Sequence, residues 1–160
     1  MPGTELSLLL RAVDQAYDAR SWHGTNLRGS IRGLELEEVC FRPGRGRHNI
    51  WELVVHCAYW KYTVRRRFTG EKRGSFPLAG SNFFRRPEGP ASEKRWREDV
   101  KLLDATHASL REALDGIPAR ALDRVPRGSK YAHRDMLLGI VAHDLYHAGQ
   151  IQLLKRLARS

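Results

Sequence analysis

Hydrophobic residues recur at helical spacing in four segments of the chain. Positions three or four residues apart fall on one face of a helix, so each segment predicts an amphipathic helix. Asn49 and Ser92 are the predicted N-terminal caps of the second and third helices, and Gly70 is the predicted end of the second. The four predicted helices span residues 4–20, 50–69, 92–114 and 134–158.

The segments between these helices do not alternate as strands do. They cover residues 21–49, 70–91 and 115–132 and contain many Gly, Pro and Arg residues, which is typical of loops. Short helical pieces are predicted within Thr25–Leu34 and Glu37–Phe41. The pattern predicts an all-α four-helix bundle in a single domain over residues 1–160, with functional residues facing inward from neighbouring helices.

The composition argues against a disordered, a disulfide-rich and a membrane-spanning protein. With 41% hydrophobic residues, the 160-residue chain is far from the composition of disordered segments. Two cysteines, Cys40 and Cys57, are too few for a disulfide framework and favour free thiols, with a single bridge as the alternative. The sequence shows no basic N-terminal leader and no run of about 20 apolar residues. We therefore expect a cytoplasmic protein with no membrane segment.

The net charge of +10 is concentrated in one region. Residues 61–97 contain eleven Lys and Arg against three Glu, whereas the rest of the chain is nearly balanced. Such a region attracts anions, which include nucleic acid, lipid headgroups and small acidic substrates. A basic anion- or nucleic-acid-binding bundle, in which a metal is structural or absent, is therefore the alternative hypothesis for function.

Histidines interrupt the predicted apolar faces. His143 and His147 are four residues apart, so their side chains lie on the same face of the last helix, at a spacing that one metal ion can bridge. A pair of hydrogen-bonded core histidines is the alternative interpretation. His56 lies in line with Leu53 and Trp60 on the second helix and is the best candidate for a third ligand.

The other histidines are weaker candidates for metal binding. His107 lies on the apolar seam of the third helix and is the lower-ranked ligand, since a buried histidine bonded to a polar neighbour explains it equally well. His23, His48 and His133 fall in or beside predicted loops and are expected to be solvated or to cap a helix. The segment His143–His147 also resembles the H-E-x-x-H motif of zinc proteases, but it has Asp for Glu and no later acidic residue or histidine.

The sequences around these histidines resemble the DinB-like (DinB/YfiT-like) superfamily of metal-binding bundles. The resemblance rests on H-C-A-Y-W from His56 and H-D-L-Y-H-A-G-Q-I from His143, together with W-H-G from Trp22 and N-I-W-E-L from Asn49. It implies an up-down-down-up bundle with Ni²⁺ or Zn²⁺ held by His56, His143 and His147. It also implies a homodimer. In that topology the second and third helices are parallel, so His107 would miss the metal.

Some members of this superfamily are thiol-dependent S-transferases or maleylpyruvate isomerases. The resemblance therefore implies a metal-dependent transferase or hydrolase with a small-molecule substrate, and the thiol-dependent members suggest a low-molecular-weight thiol. Three neutral imidazoles would leave an open position on the ion, as in catalytic sites. Cys57 points away from His56 and is expected to be a small buried hydrophobic residue. Four further residues are candidates for contacts with the ligands or the substrate: Gln150, Tyr146, Asp144 and Arg67.

Overall fold

The computed structural model describes residues 4–160, and the ordered elements of that range are all helical. The all-α class expected from the sequence is thus confirmed. Four helices are long and two are short, and a 3₁₀ turn at Ala119–Asp123 precedes the last helix. The six α-helices of the described range are α1 (Thr4–Tyr17), α2 (Leu27–Ser30), α3 (Leu36–Cys40), α4 (Ile50–Thr69), α5 (Glu93–Leu114) and α6 (His133–Ala158).

The ends of α4 and α5 follow from their capping residues. The side chain of Asn49 accepts a hydrogen bond from the backbone N–H of Glu52, which satisfies one free donor of the first turn of α4. Gly70 ends α4 in the left-handed conformation, with φ of 76°, which glycine adopts without steric cost. The Ser92 hydroxyl caps α5 in the same way as Asn49 caps α4. The predicted caps and the predicted end of α4 are confirmed.

The other predicted boundaries differ slightly from the structure. The first helix ends at Tyr17 rather than at residue 20, because the N–H groups of Asp18 and Ala19 both turn back to the carbonyl of Asp14. The last helix begins at His133, one residue earlier than predicted. Helix α2 occupies only part of the predicted Thr25–Leu34 segment, and α3 begins and ends one residue earlier than the predicted Glu37–Phe41.

Contacts near the helix ends show how α4, α5 and α6 are oriented. Trp51 at the start of α4 donates a hydrogen bond to Asp99 near the start of α5, at 2.7 Å, so the two helices are parallel. At the other end of α4, the backbone carbonyl of Arg67 accepts a hydrogen bond from His133, which begins α6. Helix α6 is therefore antiparallel to α4.

Helix α1 runs in the direction of α6. Glu5 and Arg134 form an ion pair between the first turns of the two helices. Tyr17, the last residue of α1, contacts Asp104 of α5, and Asp14, earlier on α1, pairs with Arg111, later on α5, so α1 is antiparallel to α5. Thus α1 and α6 share one direction, and α4 and α5 share the opposite one.

The core consists of two hydrophobic clusters arranged along the bundle. One cluster packs the first half of α4 against α2, α3 and the C-terminal half of α6, including Ile151. The other packs α1 against the C-terminal half of α5 and the N-terminal half of α6, including Ile140. Trp60 packs against both clusters. The histidine pair of α6 lies between Ile140 and Ile151, where the two clusters meet.

No helix in residues 4–160 is both long enough and apolar enough to cross a membrane. The longest apolar faces of α4 and α6 are instead buried against each other and against α1 and α5.

Candidate metal centre

Three histidine side chains from two helices converge, with their Nε2 atoms close together. His56 comes from α4, and His143 and His147 come from consecutive turns of α6. The Nε2 atom of His143 lies 3.0 Å from Nε2 of His56 and 3.2 Å from Nε2 of His147. The antiparallel packing of α4 and α6 produces this convergence, because it brings the middle of one helix opposite the middle of the other.

Hydrogen bonds at the far side of two rings fix their orientation and tautomer. Nδ1 of His56 donates to the backbone carbonyl of Asn82, at 2.8 Å. Nδ1 of His147 donates to Oε1 of Gln150, at 2.7 Å. A neutral imidazole that is protonated at Nδ1 carries its lone pair at Nε2. His56 and His147 therefore both direct a lone pair toward His143.

Burial keeps the three rings neutral. Burial, together with the neighbouring imidazoles, lowers the pKa of His56 to about 4 and that of His143 to about 3. The pKa of His147 is also lowered, mainly by burial, although the hydrogen bond to Gln150 acts in the opposite direction. At neutral pH the cluster therefore consists of uncharged nitrogen donors, which is the protonation state that a metal requires.

The donor set fits a divalent cation. Nε2 of His143 can donate its one proton to a single neighbour, so hydrogen bonding alone leaves at least one of the three converging nitrogens unsatisfied. Nδ1 of His143 is buried without a hydrogen-bond partner among the described residues. Three nitrogens that bind one tetrahedral ion at about 2.0–2.1 Å lie roughly 3.3 Å apart, close to the observed separations. Imidazole donors suit Zn²⁺ and Ni²⁺ alike.

The cluster opens into a cavity of about 700 Å³. Its walls are mostly apolar, and Phe83 stacks on His56 with the ring centroids 4.0 Å apart. Arg47 brings a positive charge to the lining, and the part of the chain that the structure describes contributes no carboxylate to it. The cavity therefore favours an apolar or negatively charged ligand next to the three histidines.

Two of the candidate contact residues from the sequence also line this cavity. Gln150 holds His147, as described above, and Tyr146 packs edge-on against the His147 ring with a centroid distance of 5.1 Å. The Tyr146 side chain is largely exposed, so its hydroxyl is free to meet a ligand at the mouth of the cavity.

Asp144 has a different environment from the one expected. Its carboxylate accepts a hydrogen bond from the ammonium group of Lys61, and both side chains are buried in the core behind the cluster. The other carboxylate oxygen has no partner among the described residues. Asp144 thus forms a buried ion pair with Lys61 of α4 and makes no hydrogen bond to a histidine ring.

A second group of possible ligand atoms lies on the core side of His143. It consists of His143 itself with Cys57 and Asp144. Burial raises the pKa of the Cys57 thiol well above its ordinary value, and Lys61 already neutralises Asp144. A protonated thiol and a neutralised carboxylate fit a metal poorly, so the three-histidine set is the better candidate. Full burial of Cys57 agrees with its expected role as a small core residue.

The structure does not bring Arg67 or His107 to the cluster. Arg67 lies eleven residues beyond His56 on α4, about 16 Å along the helix axis, and its guanidinium donates to the carbonyl of Arg127. His107 stacks on Tyr17 with the ring centroids 3.7 Å apart, in the core between α1 and α5. His107 is in neither group of possible metal ligands among the described residues, and Arg67 does not line the cavity.

Of the three histidines expected in or near loops, one is buried and two are exposed. His133 is buried and contacts the carbonyls of Ala121 and Arg67, which corrects its expected role as a solvated or capping residue. His48 lines the cavity, where it stacks on Phe83 and contacts Glu52. His23 is exposed, as expected.

Sequence reasoning missed the contribution of the loop between α4 and α5. This loop supplies Asn82 and Phe83, which hold and cover His56. Asn82 adopts a positive φ of 66°, a conformation that asparagine tolerates better than most residues. The one available signal was therefore an asparagine in a glycine-rich loop, which also occurs in ordinary turns.

The basic region 61–97 contributes little charge to the cavity. Lys61 is fully buried, and Arg65 and Arg86 form ion pairs with Glu71 and Asp99. The residues of this region that line the cavity are the uncharged Asn82 and Phe83. The charge that reaches the cavity comes from Arg47, outside the region.

Comparisons with known proteins point to one family. The family model described as the DinB superfamily matches residues 20–151, which include all three clustered histidines. Searches of curated proteins and of solved structures give no match.

Proposed function

Because the chain belongs to the DinB superfamily, and because three neutral histidine nitrogens converge at the wall of a cavity, we propose that it is a metal-dependent enzyme. The proposed reaction is thiol S-transfer or hydrolysis, with Ni²⁺ or Zn²⁺ as the cofactor. The observation that carries the proposal is the convergence of the Nε2 atoms of His56, His143 and His147.

The position of the cluster supports a catalytic rather than a structural role for the metal. Structural zinc sites use four protein ligands, whereas catalytic sites use three and leave a position for water or substrate. Here the described residues offer three nitrogen ligands, and the cavity gives access to them. A divalent ion bound in such a site supplies Lewis acidity and stabilises a thiolate or hydroxide at neutral pH.

The surrounding residues have separable tasks in this proposal. Asn82 and Gln150 orient the rings of His56 and His147. Phe83 and Trp60 exclude water from one side of the cavity, and Arg47 attracts an anionic substrate. We propose a low-molecular-weight thiol as one substrate, since a thiolate is an anion that nitrogen-ligated zinc or nickel binds well.

The cellular setting is part of the same proposal. Cys40 and Cys57 are both free thiols, as the sequence suggested. Unpaired cysteines are typical of reducing compartments, so we propose that the protein acts in the cytoplasm.

Metal content provides the first test. The protein is purified without a chelating resin, and its metals are measured by elemental analysis for the wild type, His143→Ala and His107→Ala. His107 is the matched control, because it is a buried histidine outside the cluster. We expect near-stoichiometric Ni or Zn in the wild type and in His107→Ala, and little in His143→Ala. A wild-type protein that stays metal-free even after incubation with Zn²⁺ or Ni²⁺ would overturn the proposal.

Activity provides the second test. The metal-loaded protein is assayed with 2-mercaptoethanol or cysteine as the thiol and an aryl chloride as the electrophile, and with carboxylic ester substrates for hydrolysis. In the transfer, the thiol loses its proton, sulfur bonds to the aryl carbon, and chloride leaves with the bonding pair. We expect turnover in one of these assays that is lost in His143→Ala and kept in His107→Ala. Equal rates in the wild type and His143→Ala would contradict an enzymatic role for the cluster.

A further inference from the structure

Residues 28–34 and the first half of α5 enclose a second cavity, with a volume of about 460 Å³. This cavity shares no lining residue with the cavity of the three histidines. Its volume lies within the range of about 300–1,000 Å³ that is typical of small-molecule sites. We call the cavity between residues 28–34 and 96–104 the α5 groove.

Basic side chains dominate the lining of the α5 groove. Four of its ten lining residues are Lys or Arg, and Asp104 is the one carboxylate that the described residues place among them. The groove therefore has an excess of three positive charges and attracts anions. The four basic residues are Arg28, Arg32, Arg97 and Lys101.

Asp104 neutralises only one of these four charges. Its Oδ1 atom accepts a hydrogen bond from Nε of Arg28, at 2.8 Å, and another from the hydroxyl group of Tyr17. The Asp104 carboxylate is thus already engaged within the fold. The other three basic side chains of the groove are exposed and form no ion pair within residues 4–160.

Two of the unpaired charges lie on the same face of α5. Arg97 and Lys101 are four residues apart, so their side chains are neighbours one helical turn from each other. Like charges at this spacing destabilise a helix, and a bound anion removes their repulsion. Arg32 lines the other wall of the groove, on the segment that follows α2. The three cations therefore surround one space from two sides.

The floor of the α5 groove is apolar. Ile31 and Trp96 are buried beneath it, and Leu34 and Val100 are half-buried. An inorganic anion would leave this floor without a partner. The floor therefore favours a ligand that has an apolar part in addition to its charged groups.

Phosphate is the anionic group that matches the basic residues best. A guanidinium group presents its N–H donors in a planar fork, which binds two oxygens of one phosphate group. One terminal phosphate group carries a charge of about −1.5 to −2 at neutral pH. Three unpaired cations exceed the charge of a single phosphate group, so they match two linked phosphate groups.

We infer that the α5 groove binds an organic diphosphate, the chemical class that includes the nucleoside diphosphates. The phosphate groups contact Arg32, Arg97 and Lys101, and the apolar part of the ligand lies over Ile31 and Trp96. Charge complementarity selects this class, and the apolar floor distinguishes it from inorganic diphosphate. The binding site is separate from the candidate metal centre and does not depend on the metal.

Calorimetric titration with ADP tests the inference. The wild type, Lys101→Ala and Lys94→Ala are titrated as purified, at low ionic strength, because salt screens exposed charges. Lys94 is the matched control, since it is an exposed lysine on α5 outside the groove lining. We expect one ADP per chain and a dissociation constant raised about tenfold in Lys101→Ala but unchanged in Lys94→Ala. No saturable binding of ADP, or equal weakening in the two variants, would overturn the inference.

Two further ligands distinguish the possible sources of phosphate. Pyrophosphate has the charged groups without an apolar part, so we expect it to bind more weakly than ADP. An affinity for pyrophosphate equal to that for ADP would refute the role of the floor. A single-stranded thymidine decamer should also bind more weakly than ADP. If it bound more tightly, and if both lysine variants weakened it equally, the surface would be a general nucleic-acid contact and the inference would be wrong.

Titration of His143→Ala with ADP separates the two cavities. His143 belongs to the three-histidine cluster and does not line the α5 groove. We expect His143→Ala to bind ADP as tightly as the wild type does. Loss of ADP binding in this variant would place the ligand at the metal centre and contradict a separate site on α5.

Discussion

Nδ1 of His147 donates a hydrogen bond of 2.7 Å to Oε1 of Gln150, which lies one turn further along α6. Such a contact fixes the ring of a metal-binding histidine and keeps the lone pair on its other nitrogen. The same helix therefore supplies two of the candidate ligands and the group that orients one of them.

Replacing Gln150 by Leu is expected to weaken metal binding without unfolding the protein. Loss of a hydrogen-bond partner of this kind typically lowers metal affinity by about 10- to 100-fold. The measurement is competition for Zn²⁺ against a chelator of known affinity. Gln152→Leu is the matched control, since Gln152 is on the same helix but outside the cavity lining. An affinity of Gln150→Leu equal to that of the control would show that Gln150 does not position His147.

The buried ion pair between Lys61 and Asp144 predicts a strong effect on stability. Both side chains are almost completely buried. Lys61→Met leaves the Asp144 carboxylate without its counter-charge and should lower the free energy of unfolding by about 3–5 kcal/mol. The double variant Lys61→Met/Asp144→Leu should recover most of this loss, because it removes both charges. Urea denaturation measures both effects, and a double variant less stable than Lys61→Met would refute this account.

The pH dependence of Lys61→Met provides a second measurement. Burial raises the pKa of Asp144, and the Lys61 ammonium acts against that rise. In the variant the pKa should rise further, so the folded state binds a proton more tightly than the unfolded state does. The variant should therefore lose stability as the pH rises through this raised pKa and regain it in acid. A destabilisation that is independent of pH would contradict an uncompensated carboxylate.

The helices and the histidine pair of α6 could be predicted because their signals are local, whereas the choice of His56 over His107 as the third ligand also rested on the resemblance to the family. Asn49, Gly70 and Ser92 act on backbone groups within one turn, and the spacing of His143 and His147 determines their common face. The contacts of Asn82 and Phe83 could not be predicted in this way. They depend on the path of a loop of more than twenty residues, which no periodic pattern describes.

Two other residues show that the charge of a side chain and its position along a helix do not determine whether it is buried. Lysine is almost never fully buried, so nothing in the sequence distinguished Lys61 from the other basic residues of the region 61–97, although in the fold it lies beside Asp144 of α6. His133 begins a helix, where solvent exposure is common, but the 3₁₀ turn at Ala119–Asp123 packs over it. In both cases an element outside the residue's own helix determines the environment.

The lowered pKa of Glu52 predicts that the protein loses stability in acid. Burial alone would raise its pKa, but hydrogen bonds from Arg42, His48 and the backbone of Arg86 lower it to about 2. The stabilisation is therefore complete above the ordinary glutamate pKa of about 4.3 and is lost as the pH falls toward 2. Glu52→Gln should destabilise the protein by about 2–3 kcal/mol at pH 7. The difference from the wild type should shrink in acid, as followed by urea denaturation.

The same substitution should also affect the cavity. Glu52 holds His48, which stacks on Phe83, which in turn stacks on His56. We expect Glu52→Gln to lower the affinity for Zn²⁺ less than Gln150→Leu does, because Glu52 contacts no candidate ligand directly. If Glu52→Gln lowered the affinity for Zn²⁺ more than Gln150→Leu does, Glu52 would matter more for metal binding than Gln150, contrary to the contacts described here.

His107 provides a pH prediction that is independent of the metal. Burial lowers its pKa to about 3, with Lys61 and Arg111 acting in the same direction. Since the ordinary histidine pKa is about 6.5, the unfolded chain binds one more proton than the folded chain between these two pH values. Stability should fall as the pH falls below 6.5, by up to about 1.4 kcal/mol per pH unit from this residue.

His107→Phe should remove this contribution and keep the stacking on Tyr17. Between pH 7 and pH 5, the wild type is expected to lose about 2 kcal/mol more than the variant in free energy of unfolding. The three clustered histidines are common to both proteins, so their own titration cancels in the comparison. Metal-free protein is used for both, and urea denaturation at several pH values gives the two curves. Parallel curves would mean that His107 is protonated in the folded protein, and they would contradict its burial as a neutral ring.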